Sequence, residues 1–220
     1  MTAWDPKWDE VFGRQEWGKY PSEHVIRFVA RNWYKAPDRK KIRFLDLGCG
    51  PGAHTWFMAR EGFSVACIDG SARAIAQLRE RLKGEGLQAE SVAGDYLALP
   101  WGDEVFDGIL DSASLCHNRY ADSKLAVAEV GRVLKPGGLF FSSSFTDRCW
   151  GFGTGVEVEP GGFSSLSEGP CAGVGFCRFM NESRLKDLYG SFAELSIESC
   201  SWTLEARSKL IEMWLVTCRK

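Results

Sequence analysis

The chain has 220 residues, of which 45% are hydrophobic, and its 27 basic and 29 acidic side chains leave a formal net charge of −2. This composition excludes an intrinsically disordered chain, and the length suits one large domain with a substantial core. The balanced charge gives no electrostatic reason to expect a nucleic-acid or membrane-surface partner, and no apolar run is long enough to span a membrane.

The N-terminal residues lack the basic and then apolar pattern of a signal peptide, so we expect a cytoplasmic protein with reduced thiols. The eight cysteines form no C-x-x-C pair, and several, such as Cys67 and Cys218, lie in apolar stretches where cysteine acts as a small hydrophobic residue. The sequence therefore predicts neither a zinc knuckle nor a thioredoxin-like motif, and no metal site.

The first forty residues predict one or two helices. They begin with four large aromatic residues, Trp4, Trp8, Phe12 and Trp17. Apolar residues then recur at helical spacing over residues 25–33, and the helix is expected to end before Pro37.

From residue 42 onward, short apolar runs alternate with helical stretches. The predicted strands cover residues 42–47, 64–69, 88–93, 105–110 and 139–145. The predicted helices cover residues 53–61, 71–83 and 123–134, and the last is followed by the stop signal at 135–138. This alternation predicts βαβ units and a doubly wound, mostly parallel sheet.

Residues 146–178 break the alternation with eight glycines and few helical signals. A loop this long in a compact domain is usually functional, so we expect a glycine-rich lid that closes over an acceptor and excludes water. A disordered surface insertion is the alternative. A helix near 181–189 and an antiparallel hairpin over 193–204 and 210–219 complete the prediction.

The segment LDLGCGPG at residues 45–52 follows the first strand and opens a helix. Ligands bind at the carboxyl ends of strands in such sheets, and glycines there let the backbone turn tightly and approach the ligand. Taken alone, the spacing of this loop also suits a dinucleotide.

Three aspartates at successive strand ends narrow the choice of ligand. Asp46 precedes the first glycine of the loop, Asp69 ends the second strand, and Asp95 follows the third. Asp69 is placed to accept hydrogen bonds from ribose hydroxyls. A pyrophosphate gains little from a nearby carboxylate, whereas a cationic amino-acid nucleoside gains much, so these residues predict S-adenosylmethionine. Capping or turn aspartates are the alternative at each position.

The sequence here resembles the class I S-adenosylmethionine-dependent methyltransferases. The matching segments are LDLGCGPG at 45–52, CIDGS at 67–71, GDYLALP at 94–100, FDGILDSASLCHN at 106–118 and LKPGG at 134–138. The resemblance implies an α/β fold with a doubly wound, Rossmann-like sheet of seven strands. All are expected to be parallel except the last, which inserts between the fifth and the sixth.

The same resemblance suggests one methyltransferase domain over residues 1–220. Its parts are a helical cap at 1–40, a cofactor-binding core at 41–145, the lid at 146–178, and a C-terminal helix and hairpin at 179–220.

The resemblance also implies a set of cofactor-binding residues. They are Asp46, Gly48, Cys49, Gly50, Gly52, Asp69, Gly70, Ser71, Asp95, Tyr96, Asp111 and Ser112. The glycines are expected under the methionine portion of the cofactor, with Asp46 facing its amino group. Asp69 is expected on the ribose, with Asp95 and Tyr96 beside the adenine.

Methyl transfer from a sulfonium is an in-line displacement that needs alignment and often removal of a proton from the acceptor. His117, just beyond the fourth strand, is the candidate catalytic base, because the ordinary pKa of imidazole suits proton removal near neutrality. A structural histidine is the alternative. Trp17, Tyr20, His117 and Trp150 are the candidate acceptor-binding residues, and core packing is the alternative for the aromatic ones.

The sequence predicts a small-molecule acceptor and S-adenosylhomocysteine as product, because no basic, aromatic-interleaved stripe suggests a nucleic acid. Cys149, Cys171 and Cys177 raise a thiol or metalloid acceptor as an alternative. Two other classes stay open, namely an NAD-dependent oxidoreductase that uses residues 48–53 as its dinucleotide loop, and a non-catalytic S-adenosylmethionine-binding partner subunit.

Overall fold

The structure is a computed structural model that describes residues 4–14 and 16–220. Residues 1–3 and 15, which belong to the predicted N-terminal cap, lie outside the described residues. The helices are α1 (Lys7–Arg14), α2 (Glu23–Trp33), α3 (Ala53–Arg60), α4 (Ala72–Gly84), α5 (Tyr120–Val133) and α6 (Glu182–Tyr189). The first five strands are β1 (Arg43–Leu47), β2 (Ser64–Asp69), β3 (Glu90–Ala93), β4 (Phe106–Ser112) and β5 (Leu134–Phe145). The others are β6 (Val156–Glu159), β7 (Gly162–Ser164), β8 (Cys177–Arg178), β9 (Glu194–Leu204) and β10 (Lys209–Arg219).

Seven strands form the main sheet, in the order β3-β2-β1-β4-β5-β10-β9. The strands from β3 to β5 pair in parallel, whereas β10 is antiparallel to both of its neighbours. The last strand of the chain therefore inserts beside β5, which confirms the predicted fold and the C-terminal hairpin. The strand order reverses between β1 and β4, and open sheets of this kind bind ligands at that switch point.

Helices cover both faces of the sheet because its central strands are apolar on both sides. Leu45 of β1 belongs to a buried cluster with Val127 and Val130 of α5. Its neighbour Phe44 belongs to a second cluster, with Phe28 of α2 on the opposite face. Alternating side chains of one strand thus reach two cores, as expected for a buried parallel sheet.

The predicted elements are present with small shifts at their ends. The largest shift is at β5, which begins at Leu134 rather than at residue 139, because Leu134 pairs with Phe106 of β4 across an irregularity in the register. None of the helices within 4–14 and 16–220 has the length and apolar character of a membrane span.

Residues 146–178 differ from the long irregular loop that the sequence predicts. Strands β6, β7 and β8 form a separate three-stranded antiparallel sheet. This insertion has an apolar core in which Phe163 and Phe179 pack with Phe145 and with Ile211 and Met213 of β10. Local patterns missed it because its strands are short and its apolar residues are separated by glycines.

Candidate active site

The glycine loop between β1 and α3 lies against the carboxyl end of β2. The backbone N–H groups of Gly48 and Cys49 donate to the Ile68 carbonyl at 2.9 and 3.1 Å. Gly48 has φ of +65°, and a Cβ atom there would overlap the Ser114 side chain. Only glycine fits this position, and the loop therefore presents bare backbone at the edge of the sheet.

The carboxylate of Asp69 is fixed at the end of β2 by two backbone hydrogen bonds. Its oxygens accept from the N–H groups of Gly50 and Ser71, each at 2.8 Å, and the residue is 8% exposed. Burial raises the pKa of Asp69, and the two hydrogen bonds offset part of that rise. A carboxylate has about four acceptor positions, so Asp69 has capacity for further donors such as hydroxyls.

A cavity of about 110 Å³ lies at the switch point, between the ends of β1, β2 and β4 and the helix α1. The predicted site residues that line it are Gly48, Cys49, Gly50, Asp69, Gly70, Tyr96, Ser112, His117 and Trp17. Residues separated by up to a hundred positions in the sequence thus meet at one place.

Tyr96 contributes its ring to the cavity while its hydroxyl is held from behind. The hydroxyl oxygen accepts from the Asn118 amide at 2.6 Å and from the Ser114 hydroxyl at 3.3 Å. Burial raises the pKa of Tyr96, so the phenol is neutral. A neutral ring with a fixed hydroxyl is a flat surface suitable for an aromatic ligand.

Asp46 and Asp111 lie behind the cavity and are not among its lining residues. Asp46 is 1% exposed and accepts from the Thr55 hydroxyl of α3 at 2.6 Å. Asp111 is fully buried and accepts from the Ser142 hydroxyl at 2.6 Å and from two backbone N–H groups of the turn after β4. Burial raises their pKa values to about 6 and about 7. Both carboxylates brace the strand ends on which the site is built.

Three other predicted residues lie beside the cavity without lining it. Gly52 precedes α3 with φ of +86°. Ser71 caps α4, because its hydroxyl oxygen accepts from the Ala74 N–H at 3.1 Å. Asp95 accepts from the Leu97 N–H at 2.9 Å in the turn after β3. Each shapes a turn next to the cavity.

His117 lines the cavity from the turn after β4. Its Nδ1 lies 2.7 Å from the Phe176 carbonyl oxygen and therefore carries a proton that it donates. Its ring is edge-on to Trp8, with centroids 4.6 Å apart. Burial lowers the pKa of His117, but the adjacent Cys116 sulfur raises it to about 9 overall. This environment holds the proton at neutral pH, unlike the near-neutral base that the sequence suggests.

The structure does not bring Tyr20 or Trp150 to the cavity. Tyr20 is 78% exposed and lines a separate cleft of about 730 Å³, together with Trp17 and Trp56. Trp150 lies in the insertion, where its indole N–H donates to Glu168 at 2.7 Å and the Lys209 ammonium lies 4.7 Å from the ring centre. Neither ring lines the cavity that contains Asp69 and His117.

The N-terminal segment also lines the cavity with Trp4, Trp8 and Phe12, for which the sequence predicted no role in a site. A Cβ atom at Gly70 would overlap the Trp4 indole, and one at Gly50 would lie 3.4 Å from the Phe12 ring. The sequence did contain an indication of this grouping, because the three aromatic residues lie four positions apart and such a spacing places side chains on one face of a helix. Nothing local showed which surface that face would cover.

Comparisons with known proteins agree with this geometry. Residues 44–138 match the family model described as a methyltransferase domain. A ubiquinone biosynthesis O-methyltransferase from Chelativorans sp. is 31% identical over 137 residues, which cover 62% of this chain and 53% of that protein. The chain spans about half the length, or less, of the first curated relatives that it matches.

Two solved structures have the same fold. An S-adenosylmethionine-dependent methyltransferase from Methanosarcina mazei aligns with a TM-score of 0.68 and 24% identity, covering 82% of this chain and 93% of that one. The Burkholderia thailandensis 1,6-didemethyltoxoflavin-N1-methyltransferase, solved with bound 1,6-didemethyltoxoflavin and S-adenosylhomocysteine, aligns with a TM-score of 0.62 and 19% identity, covering 90% and 77% of the two chains. The family match over residues 44–138, the sheet order and the residues around the cavity together support a methyltransferase domain of the class I, S-adenosylmethionine-dependent type, for which S-adenosylmethionine is the cofactor.

Proposed function

We propose that the chain transfers the methyl group of S-adenosylmethionine to a small-molecule acceptor by in-line displacement and releases S-adenosylhomocysteine. The observation that carries this proposal is the convergence of the bare glycine loop and the fixed Asp69 carboxylate on one cavity at the switch point. We further propose that the whole chain acts as one methyltransferase domain, and that it works in the cytoplasm, where its eight unpaired cysteines stay reduced.

In this proposal different residues of the cavity bind different parts of the cofactor. Asp69 accepts from the ribose hydroxyls, the backbone of Gly48 and Gly50 lies under the methionine portion, and the Tyr96 ring lies beside the adenine. Asp46 supports the loop from below, since the Thr55 hydroxyl already occupies one of its oxygens. When bound, the cofactor supplies an electrophilic methyl group on a cationic sulfur.

Access for the cofactor requires α1 to move outward. Ligand cavities are usually about 300–1,000 Å³, whereas this one is about 110 Å³ because the Trp4, Trp8 and Phe12 rings fill the rest. Few polar contacts hold the helix there. Asp9 accepts from the Ser71 hydroxyl at 2.6 Å and pairs with the Arg73 guanidinium at 3.3 Å, and the Phe12 carbonyl oxygen accepts from Gln77 at 3.0 Å. Such a helix can open for the ligand and close again to exclude water.

The acceptor is proposed to bind on the side formed by Ser112, His117 and the rings of Trp8 and Trp17. The chain aligns the nucleophile with the methyl carbon, and the leaving thioether needs no acid. An enclosed space with aromatic walls favours a small molecule over a protein or a nucleic acid. For His117 the hydrogen bond to Phe176 supports a role in positioning the acceptor side.

The test is calorimetric titration with S-adenosylmethionine, S-adenosylhomocysteine and NADH, for the unchanged chain and for Asp69→Ala. We expect the first two ligands to bind, and the substitution to weaken binding by about 1.5–3 kcal/mol, roughly 10- to 150-fold, because a charge-assisted acceptor is lost. Asp103→Ala is the matched control, since this aspartate is exposed and lies just before β4, at the end of the strand away from the cavity.

If the unchanged chain and Asp69→Ala bind S-adenosylmethionine equally well, Asp69 does not bind the ribose. Binding of NADH alone would overturn the methyltransferase proposal. Release of S-adenosylhomocysteine in a screen of candidate acceptors then tests turnover. Cofactor binding without turnover with any acceptor would favour a binding subunit.

A further inference from the structure

Three cysteines and one histidine meet next to the cavity. The Sγ atoms of Cys116 and Cys177 and a ring nitrogen of His117 lie within 4.8 Å of one another. A fourth atom, the Sγ of Cys171, lies 2.8 Å from the Sγ of Cys177. The three cysteines are at most 2% exposed, and none of them is in a disulfide.

This group joins two parts of the fold. Cys116 and His117 belong to the turn that follows β4 in the core of the domain. Cys171 and Cys177 belong to the insertion, more than fifty residues later in the sequence. The arrangement is invisible to motif searches because it contains no C-x-x-C pair.

We propose that Cys116, His117, Cys171 and Cys177 form a closed Cys₃His site for a thiophilic divalent cation, Zn²⁺, which ties the insertion to the core. Structural zinc sites are tetrahedral and use this donor set, with Zn–S distances of about 2.3 Å that place neighbouring sulfurs about 3.8 Å apart. Metal binding would draw the three mutually close ligands inward. It would also increase the distance between the Sγ atoms of Cys171 and Cys177 by about 1 Å. The site has no open position, so its role is structural.

A second observation supports the ligand role of His117. Histidines that bind metals usually donate their other ring N–H to a carbonyl or carboxylate, which fixes the ring and its tautomer. His117 has this arrangement, because Nδ1 donates to the Phe176 carbonyl oxygen at 2.7 Å. Nε2 is then the ring nitrogen left for the ion, which displaces the proton from that nitrogen when it binds. Phe176 directly precedes Cys177, so one short segment supplies both a ligand and its support.

The surroundings fit a soft metal ion. The cysteines lie in the apolar cluster of the insertion, with Phe163 and Phe179. Thiolates select zinc over harder cations such as Mg²⁺ or Ca²⁺, which require oxygen ligands. His117 also lines the cofactor cavity, so the site would position one wall of that cavity.

The experiment measures zinc bound to the full, reduced chain after dialysis against Zn²⁺, by elemental analysis and native mass spectrometry, with affinity from competition with a chelating dye. We expect one zinc per chain. Cys177→Ser is expected to lower the affinity about 100-fold or more, whereas Cys200→Ser, a cysteine of β9 outside the group, leaves it unchanged. No zinc on the unchanged chain, or equal zinc on Cys177→Ser, overturns the proposal.

Two further measurements keep the test decisive if Cys177→Ser does not fold. Cys116→Ser removes a ligand from the other part of the site and is expected to have the same effect on affinity. The unchanged chain is also heated with Zn²⁺ and with a chelator, and we expect a higher Tm with Zn²⁺ at saturating concentration. A Tm that does not respond to zinc overturns the proposal. These readouts are independent of methyl transfer, so a failure here leaves the proposed function to its own test.

Discussion

The cofactor half of the domain and the insertion at 146–178 are held together in different ways. In the cofactor half, the partners belong to strand ends and loops that follow a repeated βαβ pattern, such as the glycine loop and Asp69. In the insertion, side chains such as Glu159 and Arg178 make the ties to the core, and their partners lie 39 to 63 residues away in the sequence. The cofactor half can therefore be predicted from sequence motifs, whereas the insertion is defined by long-range contacts that only the tertiary structure shows.

Arg178 shows how strongly the insertion depends on such contacts. The arginine is 1% exposed, and its guanidinium donates to the Ser123 hydroxyl at 2.8 Å and to the carbonyl oxygens of Leu115 and Asn118. Glu159 of the same insertion lies 3.7 Å away as its charged partner. One side chain of β8 thus donates hydrogen bonds to two carbonyl oxygens of the turn after β4, and the same turn also carries His117.

The largest effect is expected from breaking that tie. Arg178→Met removes three charge-assisted hydrogen bonds and the ion pair with Glu159, and we expect a loss of about 3–5 kcal/mol in the free energy of unfolding. Guanidinium chloride unfolding, followed by circular dichroism, measures this loss. Arg31→Met, at an exposed arginine of α2, is the control and is expected to change stability by less than about 0.5 kcal/mol. Equal losses in the two variants would show that the insertion does not depend on Arg178.

A smaller effect, which depends on pH, is expected in the cofactor half. Burial raises the pKa of Asp46 from 3.8 to about 6, so between these pH values the folded state keeps a proton that the unfolded state has lost. The contribution of this group to stability is therefore complete below about pH 4 and is lost as the pH rises to about 6. The shift corresponds to about 3 kcal/mol.

Urea unfolding from pH 4 to pH 7 of the unchanged chain and of Asp46→Asn tests this expectation. The difference between the two profiles isolates Asp46 from the other carboxyl groups. We expect the stability of the unchanged chain relative to the variant to fall by about 3 kcal/mol across this range. A flat difference would mean that Asp46 is ionised in both states at these pH values.

The smallest effect is expected at the contact between Trp8 of α1 and His117, the residue that the insertion holds through the Phe176 carbonyl. Trp8→Ala removes an edge-to-face contact worth about 0.5–1.5 kcal/mol and so favours the open position of α1. We expect S-adenosylhomocysteine to associate about 2- to 10-fold faster, as measured by surface plasmon resonance. Trp202→Ala, at an exposed tryptophan of β9, is the control. A slower association in Trp8→Ala would show that the indole contributes to binding rather than blocking access.

The sequence predicted the cofactor half well because its signals are local. The run LDLGCGPG, the aspartate at the end of β2 and the strand–helix rhythm each depend on neighbouring residues, and the sheet order followed from the family resemblance. The positions of Tyr20 and Trp150 were not predictable in this way. Their surroundings are set by Trp56 and Glu168, which are distant in the sequence.

By itself, the sequence determined the fold class, the order of the main elements and the glycine loop that we propose for the cofactor, because backbone conformation and burial patterns are encoded over a few residues at a time. Only the tertiary structure decided that α1 lies in the cofactor cavity, that the insertion is a sheet, and that Cys116, His117, Cys171 and Cys177 meet. These features depend on packing between segments far apart in the chain, and no local pattern carries that information.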